Sequence, residues 1–246
     1  MRFAILVTLA AIFLMSACGT QTDSFVPDND LWKEDGFING DVTEAVFKEI
    51  IALAHEIYDP IATQWEETLT INAKWDDPTV NANASRDGQG WTEINMFGGL
   101  ARRQEVIPEG FALVLCHELN HLYGGAPYIE PSVYMSAEGQ SDWMGAGWCL
   151  KNIVEKLSTK GQFTPTEYMK TVCENKETCL RQLGAGISLG SLLSKLNGDR
   201  LPSYETPDKT VVKRTNTSYP KTTQCRVDTY LNGALKRDRP LCWFKP

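Results

Sequence analysis

Apolar and polar positions in the first half of the chain predict one amphipathic helix followed by three short strands. Between residues 46 and 57, apolar side chains recur every three to four positions, which is the spacing of one helix face. Residues 68–75 alternate apolar and polar side chains, as a half-buried strand does. Two further strands are predicted over residues 80–86 and 91–97, with the turn sequence Asp-Gly-Gln-Gly between them. We expect the three strands to form a small antiparallel sheet.

The second half of the chain has the spacing of helices. Pro108 suits the first turn of a helix that would run through His121 and end at the glycine pair 124–125. Further helices are predicted over residues 137–157, from residue 164 onward, and over residues 177–196. Residues 202–246 are expected to be rich in loops. The predicted fold class is therefore α+β, with a small antiparallel sheet beside a helical bundle.

Length and composition fit one folded domain with a sizeable core. The chain has 246 residues, of which 42% are hydrophobic and 22% are charged. Its formal net charge of −7 repels phosphate groups, so we do not expect nucleic acid as a partner.

The N-terminal residues have the pattern of a bacterial export signal. Arg2 precedes an apolar run over residues 3–15, which is too short to span a bilayer but fits the core of a signal peptide. At its end, Leu-Met-Ser-Ala precedes Cys18, which resembles the lipobox of bacterial lipoproteins, where the cysteine is lipidated after cleavage. An ordinary signal peptide with an incidental cysteine is the alternative.

This N-terminal pattern divides the chain into three predicted parts. Residues 1–17 would be the signal peptide, residues 18–30 a lipidated tether, and residues 31–246 the folded domain. Gly19 rather than aspartate follows the cysteine, and by resemblance to enterobacterial lipoproteins this favours the outer membrane over the inner one. The domain is thus predicted to be anchored by lipid in the cell envelope, facing the periplasm or the cell surface.

Cysteine usage agrees with an oxidising compartment. The chain has seven cysteines, and six remain if Cys18 is lipidated. Six cysteines allow 15 pairings. Local spacing favours two disulfides and leaves a third by elimination: Cys173 with Cys179, Cys225 with Cys242, and Cys116 with Cys149. The alternative is that some are free buried thiols, since cysteine packs well as a small hydrophobic residue.

Two of the chain's three histidines lie four residues apart in the sequence His-Glu-Leu-Asn-His. On a helix, His117 and His121 would lie on the same face, so both imidazoles can bind one metal ion. Glu118 would lie beside them, where its carboxylate can draw a proton from a water activated by zinc. A pair of helix histidines satisfied by hydrogen bonds is the alternative.

A third metal ligand is expected from a carboxylate on the next predicted helix. A third histidine of the metzincin type is excluded, since Pro127 stands in its place and no histidine follows His121. Glu138 can complete a His-His-Glu zinc site, and Asp142, one turn later, can accept the free ring N–H of a ligand histidine. The alternative is a solvated acidic helix face. His55 lies on the first predicted helix and is expected to be a surface or core residue.

His-Glu-x-x-His followed by Glu-x-x-x-Asp on a second helix resembles the gluzincin metallopeptidases. Residues 68–157 resemble in particular the family of CAAX prenyl endopeptidases and bacterial periplasmic and heat-shock metalloproteases. The resemblance implies a zincin-like fold, one zinc ion, and peptide or protein substrates. It also implies that Asn81, Asn83 and Ala84 lie on a free edge strand, to which an extended peptide substrate adds as a further strand.

The resemblance also implies that the C-terminal half of the chain contributes a residue to catalysis. In many gluzincins a His, Tyr or Arg from that half stabilises the charge that develops on the carbonyl oxygen during hydrolysis. Tyr219, Arg226 and Tyr230 are the candidates for this role, and Arg226 would be held rigidly if Cys225 is bridged. The alternative for each is surface packing. The multi-pass membrane helices of the prenyl endopeptidases have no counterpart here, so lipidated substrates are not implied.

Three functions compete on these observations. The first is a zinc endopeptidase of the cell envelope with Glu118 as its general base. The second is a non-catalytic envelope lipoprotein that uses a gluzincin fold to bind a partner or peptidoglycan. The third is a metallohydrolase acting on a non-peptide bond, against which only the strand resemblance argues.

Overall fold

Four strands form a mixed sheet, and the helices pack beside it. The structure is a computed structural model that describes residues 20–34 and 40–246. The strand order in the sheet is β1 (Gln21–Ser24), β3 (Ala82–Arg86), β4 (Trp91–Phe97), β2 (Thr68–Lys74). Both β1 and β4 run antiparallel to β3, whereas β2 runs parallel to β4. The α+β class is confirmed, and the prediction of a purely antiparallel sheet is wrong.

The sheet is mixed because the chain crosses the end of β4 on its way from β2 to β3. Residues 75–81 pass over Gly98 and Gly99, which directly follow β4. The Gly99 N–H donates to the carbonyl oxygen of Asp77 at 2.8 Å. A Cβ atom on Gly99 would collide with the carbonyl oxygen of Pro78, so only glycine leaves room for the crossing. The chain thereby skips one strand position, and β2 lies on the far side of β4.

Helices make up most of the remaining described chain. They are α1 (Leu31–Glu34), α2 (Glu44–Gln64), α3 (Gly98–Ala101), α4 (Pro108–Tyr123), α5 (Glu138–Met144), α6 (Leu150–Lys156), α7 (Glu167–Val172), α8 (Glu177–Asn197) and α9 (Thr223–Ala234). A π-helical turn (Gly145–Cys149) joins α5 to α6, so the helix predicted over residues 137–157 is confirmed with a local widening. Two short strands, β5 (Tyr128–Glu130) and β6 (Met135–Ser136), pair after α4. No helix in the described ranges has the length and apolar character needed to cross a membrane.

The central helix of the domain is α4. Every residue from Pro108 to Leu122 on this helix is buried. It packs against α2, α5, α8 and β3. A helix that is surrounded on all sides must satisfy its polar side chains within the protein, because water does not reach them. The polar residues of α4 are therefore candidates for a functional site.

Residues 21–26 belong to the folded domain. After β1, the Phe25 N–H continues the pairing with β3 by donating to Ala82 O at 3.0 Å. Phe25 and Val26 are 0% and 1% exposed. The prediction of a tether over residues 18–30 is therefore wrong for residues 21–26. Their mostly polar composition did not indicate an edge strand. Cys18 and the predicted signal peptide lie outside the described residues.

The C-terminal part of the chain contains a helix where loops were expected. The side chain of Thr222 caps α9 by accepting a hydrogen bond from Cys225 N–H at 3.1 Å. The helix packs against α8 and α5. Its buried face includes Arg226 and Asp228 beside few aliphatic side chains, so hydrophobic spacing did not predict it. The expectation for residues 202–246 is wrong over this helix.

All three predicted disulfides are confirmed. Their Cα–Cα distances are 5.7 Å for Cys116–Cys149, 5.5 Å for Cys173–Cys179 and 5.9 Å for Cys225–Cys242. The first disulfide joins α4 to the π-helical turn at a residue adjacent to His117. The third fixes the start of α9 next to Arg226. Two of the three bridges therefore brace residues that the sequence had marked as candidates for chemistry.

Candidate metal centre

Three buried side chains from two helices converge beside the sheet. His117 and His121 lie one turn apart on α4, and Glu138 is the first residue of α5. One possible ligand atom from each residue lies within 4.8 Å of the others. Nε2 of His117 is 2.9 Å from Nε2 of His121, and Glu138 oxygens lie 3.5 Å and 3.6 Å from these two nitrogens. The structure thus brings together the three residues that the sequence predicted as ligands.

A hydrogen bond fixes the second ring nitrogen of each histidine. His121 Nδ1 lies 2.8 Å from the carbonyl oxygen of Ser136, which can only accept, so this nitrogen carries the proton. His117 Nδ1 lies 2.7 Å from Asp142 Oδ1. Burial raises the pKa of Asp142, but Arg226 and His117 together lower it below its usual range, so the ionised carboxylate accepts the ring N–H. Both Nε2 atoms are left with a free lone pair.

These lone pairs and the Glu138 carboxylate fit a bound cation. Burial lowers the pKa of His117 to about 3 and also lowers that of His121, so both rings are neutral. Two unprotonated nitrogens 2.9 Å apart repel each other. Oε1 of Glu138 is buried with no hydrogen-bond partner among the described residues. This cluster of two nitrogen lone pairs and a carboxylate oxygen is unfavourable without a positive charge between them. Two imidazoles with one carboxylate form a donor set that suits zinc.

Glu118 follows the first ligand and is fully buried. Within the described part of the chain, neither of its carboxylate oxygens has a hydrogen-bond partner. Burial raises the pKa of Glu118 well above its usual range, and the Asp23 carboxylate raises it further. A buried carboxyl group with no structural partner is typical of a group that exchanges a proton with a ligand.

The guanidinium of Arg226 ties the carboxylates of the site together. Its Nε donates to Asp142 Oδ2 at 2.8 Å, and an amino group donates to Glu138 Oε2 at 3.3 Å. The other amino group donates to the backbone carbonyl of Phe25 at 2.8 Å. Arg226 therefore orients both the carboxylate ligand and the carboxylate behind His117, which makes it a positioning residue. Its role as an electrophile in the reaction stays a prediction.

Tyr219 lies beside the same network, with its ring centroid 5.9 Å from the guanidinium carbon of Arg226. Its hydroxyl donates to the backbone carbonyl of Ser24 at 2.6 Å. Burial raises the pKa of Tyr219 above its usual value, and the Glu138 carboxylate raises it further, so the hydroxyl keeps its proton and can act as a donor. Tyr230, the third candidate, is buried on α9 one turn after Arg226. Of the three candidates, Tyr219 and Arg226 both contact backbone carbonyls of the N-terminal segment.

The predicted substrate-binding edge is occupied in this structure. β1 pairs with the outer edge of β3, with Ser24 opposite Asn83 and Asp23 opposite Ala84. Asn81 precedes β3, and its side chain accepts from Val26 N–H at 3.2 Å and donates to Val26 O at 2.9 Å. The prediction of a free edge strand is therefore wrong, because residues of the same chain satisfy its backbone groups.

Sequence reasoning missed two residues that border the site. The Phe25 ring packs edge-on against the His117 ring, with centroids 5.3 Å apart. Asp23 Oδ2 lies 3.7 Å from His121 Nδ1. No strand pattern marks them in the sequence, because residues 21–24 are all polar and Phe25 is followed by the apolar Val26. His55, by contrast, is partly exposed, and its Nδ1 lies 2.9 Å from Asp59, as expected for a surface histidine.

The chain matches no protein-family model, no curated protein and no solved structure. Any functional conclusion therefore has to come from the geometry of the site itself.

Proposed function

We propose that this protein is a zinc-dependent metallopeptidase of the gluzincin type, an endopeptidase with a zincin-like fold. The observation that carries the proposal is the convergence of His117, His121 and Glu138 on one point, with both Nε2 lone pairs directed there. Glu118, buried and unpaired among the described residues, supplies the proton acceptor that hydrolysis requires. A structural zinc site would be closed by four protein ligands, whereas three ligands leave a position for reactants.

Several residues of the chain have separate proposed roles in peptide hydrolysis. Zinc, when bound, polarises the scissile carbonyl and makes water more acidic. Glu118 accepts a proton from the attacking water and delivers it to the leaving amine nitrogen. Asp142 holds the proton on His117 Nδ1, which keeps Nε2 free. Arg226 keeps Asp142 and Glu138 in place.

Tyr219 is the proposed donor to the carbonyl oxygen on which negative charge develops. Its hydroxyl already donates to a backbone carbonyl of an extended segment beside the site, at Ser24. A protonated phenol that reaches peptide carbonyls has the chemistry needed for this role. Peptides or proteins in extended conformation are therefore the proposed substrates.

A non-catalytic role in binding a partner or peptidoglycan is the second candidate. It is favoured by β1, which covers the edge of β3 that a substrate would need. For either function we propose the same location, a lipid anchor at Cys18 in the bacterial outer membrane. This part of the proposal rests on the sequence of residues 14–18 alone.

The substitution Glu118→Gln tests the peptidase proposal. Its side chain keeps the shape of glutamate but does not accept the proton, so casein hydrolysis should fall by about a hundredfold or more while zinc content stays the same. The matched control is Glu56→Gln, at the exposed His55-Glu56 pair, which should leave both unchanged. Hydrolysis at the wild-type rate by Glu118→Gln would rule out the proposed mechanism.

A further inference from the structure

Residues 21–26 lie on β3 as a bound peptide would. Four residues of β1 pair antiparallel with β3, Phe25 N–H adds a bond to Ala82 O, and the Asn81 side chain bonds both backbone groups of Val26. Addition of an extended segment to a sheet edge is a common way in which proteins bind peptides. The segment therefore fills the position at which the substrate of the proposed peptidase would bind.

The groups proposed for chemistry contact the backbone of this segment. Tyr219 Oη donates to Ser24 O at 2.6 Å, and Arg226 donates to Phe25 O at 2.8 Å. Backbone carbonyls are present in every peptide, so these two contacts do not depend on the segment's own side chains. An extended substrate lying in the same direction would offer the same two acceptors.

Two side chains of the segment lie against the ligand histidines. Alternate residues of a strand face the same side, and Asp23 and Phe25 both face the ligand histidines. Phe25 packs against the His117 ring at 5.3 Å and under the guanidinium of Arg226 at 4.4 Å. Asp23 Oδ2 is 3.7 Å from His121 Nδ1 and has no hydrogen-bond partner among the described residues. A buried oxygen without a hydrogen-bond partner is unfavourable, so it weakens the binding of residues 21–26 to β3. A substrate residue without that carboxylate would not carry this cost.

We propose that residues 21–26 are an internal competitor that holds the peptidase inactive until an extended polypeptide replaces them on β3. The inference rests on the proposed function, since it assigns a regulation to the same site. The segment forms the outermost strand of the sheet and lies at the N-terminal end of the described chain. It can therefore leave β3 without breaking the pairs between β3, β4 and β2. A competing substrate should carry a large apolar side chain at the position of Phe25, which is fully buried.

A proline in the segment tests whether it can be displaced. Hydrogen-bonded pairs alternate along an antiparallel ladder, and Phe25 with Ala82 is one of them, so Asp23 with Ala84 is the next. Asp23→Pro removes that bond. The matched control is Asp23→Ala, which loses the same carboxylate but keeps the backbone N–H and its ladder bond.

The first readout is binding of a labelled peptide with the sequence of residues 21–26, followed by fluorescence anisotropy. Asp23→Pro should bind this peptide about tenfold more tightly than Asp23→Ala, because its edge is more often free. Casein hydrolysis by zinc-loaded Asp23→Pro should be about tenfold faster than by zinc-loaded Asp23→Ala. Peptide affinity equal to that of Asp23→Ala in a folded Asp23→Pro variant overturns the proposal.

A disulfide that locks the segment in place gives the opposite test. The side-chain oxygens of Thr22 and Ser85 are 2.9 Å apart on paired residues, so Thr22→Cys with Ser85→Cys places two thiols within bonding reach. The oxidised double variant should lose peptide binding and casein hydrolysis about tenfold against each single variant, and mild reduction should restore both. Hydrolysis by the locked variant at the rate of the single variants overturns the proposal.

The two readouts separate this inference from the proposed function. Peptide binding needs neither Glu118 nor zinc. If Asp23→Pro gains peptide binding but the zinc-loaded variant does not hydrolyse casein, occupation of the edge is supported and the peptidase function is wrong. If every variant hydrolyses casein at the wild-type rate and none gains peptide binding, the peptidase function is supported and the competitor is wrong.

Discussion

Two buried aspartates near the C-terminal helix have pKa values shifted in opposite directions. Asp142 accepts hydrogen bonds from Arg226 and His117, and these contacts lower its pKa in spite of burial. Among the described residues, Asp228 accepts hydrogen bonds from two neutral donors, the N–H of Asp208 at 2.7 Å and the amide of Gln224 at 2.8 Å. Burial therefore dominates and raises the pKa of Asp228 to about 6. The same residue type serves as a permanent anion at the site and as a titrating group outside it.

The raised pKa of Asp228 predicts a pH dependence of stability. Between about pH 4 and pH 6 this carboxyl binds more protons in the folded chain than in the unfolded chain, so its contribution to stability is lost as the pH rises through about 6. Asp228→Asn removes this loss, so the unfolding free energy at pH 7 minus that at pH 4 should be more positive than in the wild type by on the order of 1–2 kcal/mol. Urea denaturation at the two pH values measures it. The exposed Asp238→Asn should leave the difference unchanged, and an unchanged difference in Asp228→Asn would contradict the prediction.

Helix α9 connects the C-terminal part of the chain to the candidate metal centre. It contributes Arg226, whose guanidinium contacts Asp142, Glu138 and the backbone of Phe25. The Cys225–Cys242 disulfide fixes the first turn of the helix. An element that the hydrophobic pattern did not predict thus holds the ligand shell together.

Removal of the arginine should be severe. Arg226→Met leaves two buried carboxylates without their cation, so the unfolding free energy should fall by about 3–5 kcal/mol. Urea denaturation of the metal-free protein at pH 7 measures this loss separately from zinc binding. Arg237→Met, at an exposed position just beyond α9, is the control and should change stability by less than about 0.5 kcal/mol. A loss in Arg226→Met as small as in the control would show that the network contributes little.

The elements that could be predicted are those whose pattern is repeated along the chain. α4 follows from a proline at its start, apolar spacing and a glycine pair at its end, and the metal-ligand spacing lies within it. β1 was missed because all four of its residues are polar, and α9 was missed because several of its buried positions are polar, as at Arg226. Polar residues of this kind are buried because they form hydrogen bonds and ion pairs in the folded chain. A hydrophobic pattern does not indicate those contacts. The two missed elements are also the ones that contact each other at Phe25 and Arg226.

For the whole molecule, the position of β1 has a consequence for the proposed lipid anchor. If Cys18 carries lipid, β1 begins only three residues later, at Gln21. Three residues span roughly 10 Å at most, so the domain would lie against the membrane surface. Release of residues 21–26 from β3 would lengthen the connection and let the domain move away from the bilayer. Residues 21–26 would then act both as the internal competitor and as part of the connection to the lipid anchor.

The zinc content of the purified chain tests the central claim most directly. After zinc loading and dialysis, elemental analysis should give one zinc per chain for the wild type and for Glu118→Gln. His121→Gln removes one of the three ligands and should lose the ion, whereas His55→Gln, at the exposed histidine, should keep it. A His121→Gln variant that binds as much zinc as the wild type would contradict the metal centre.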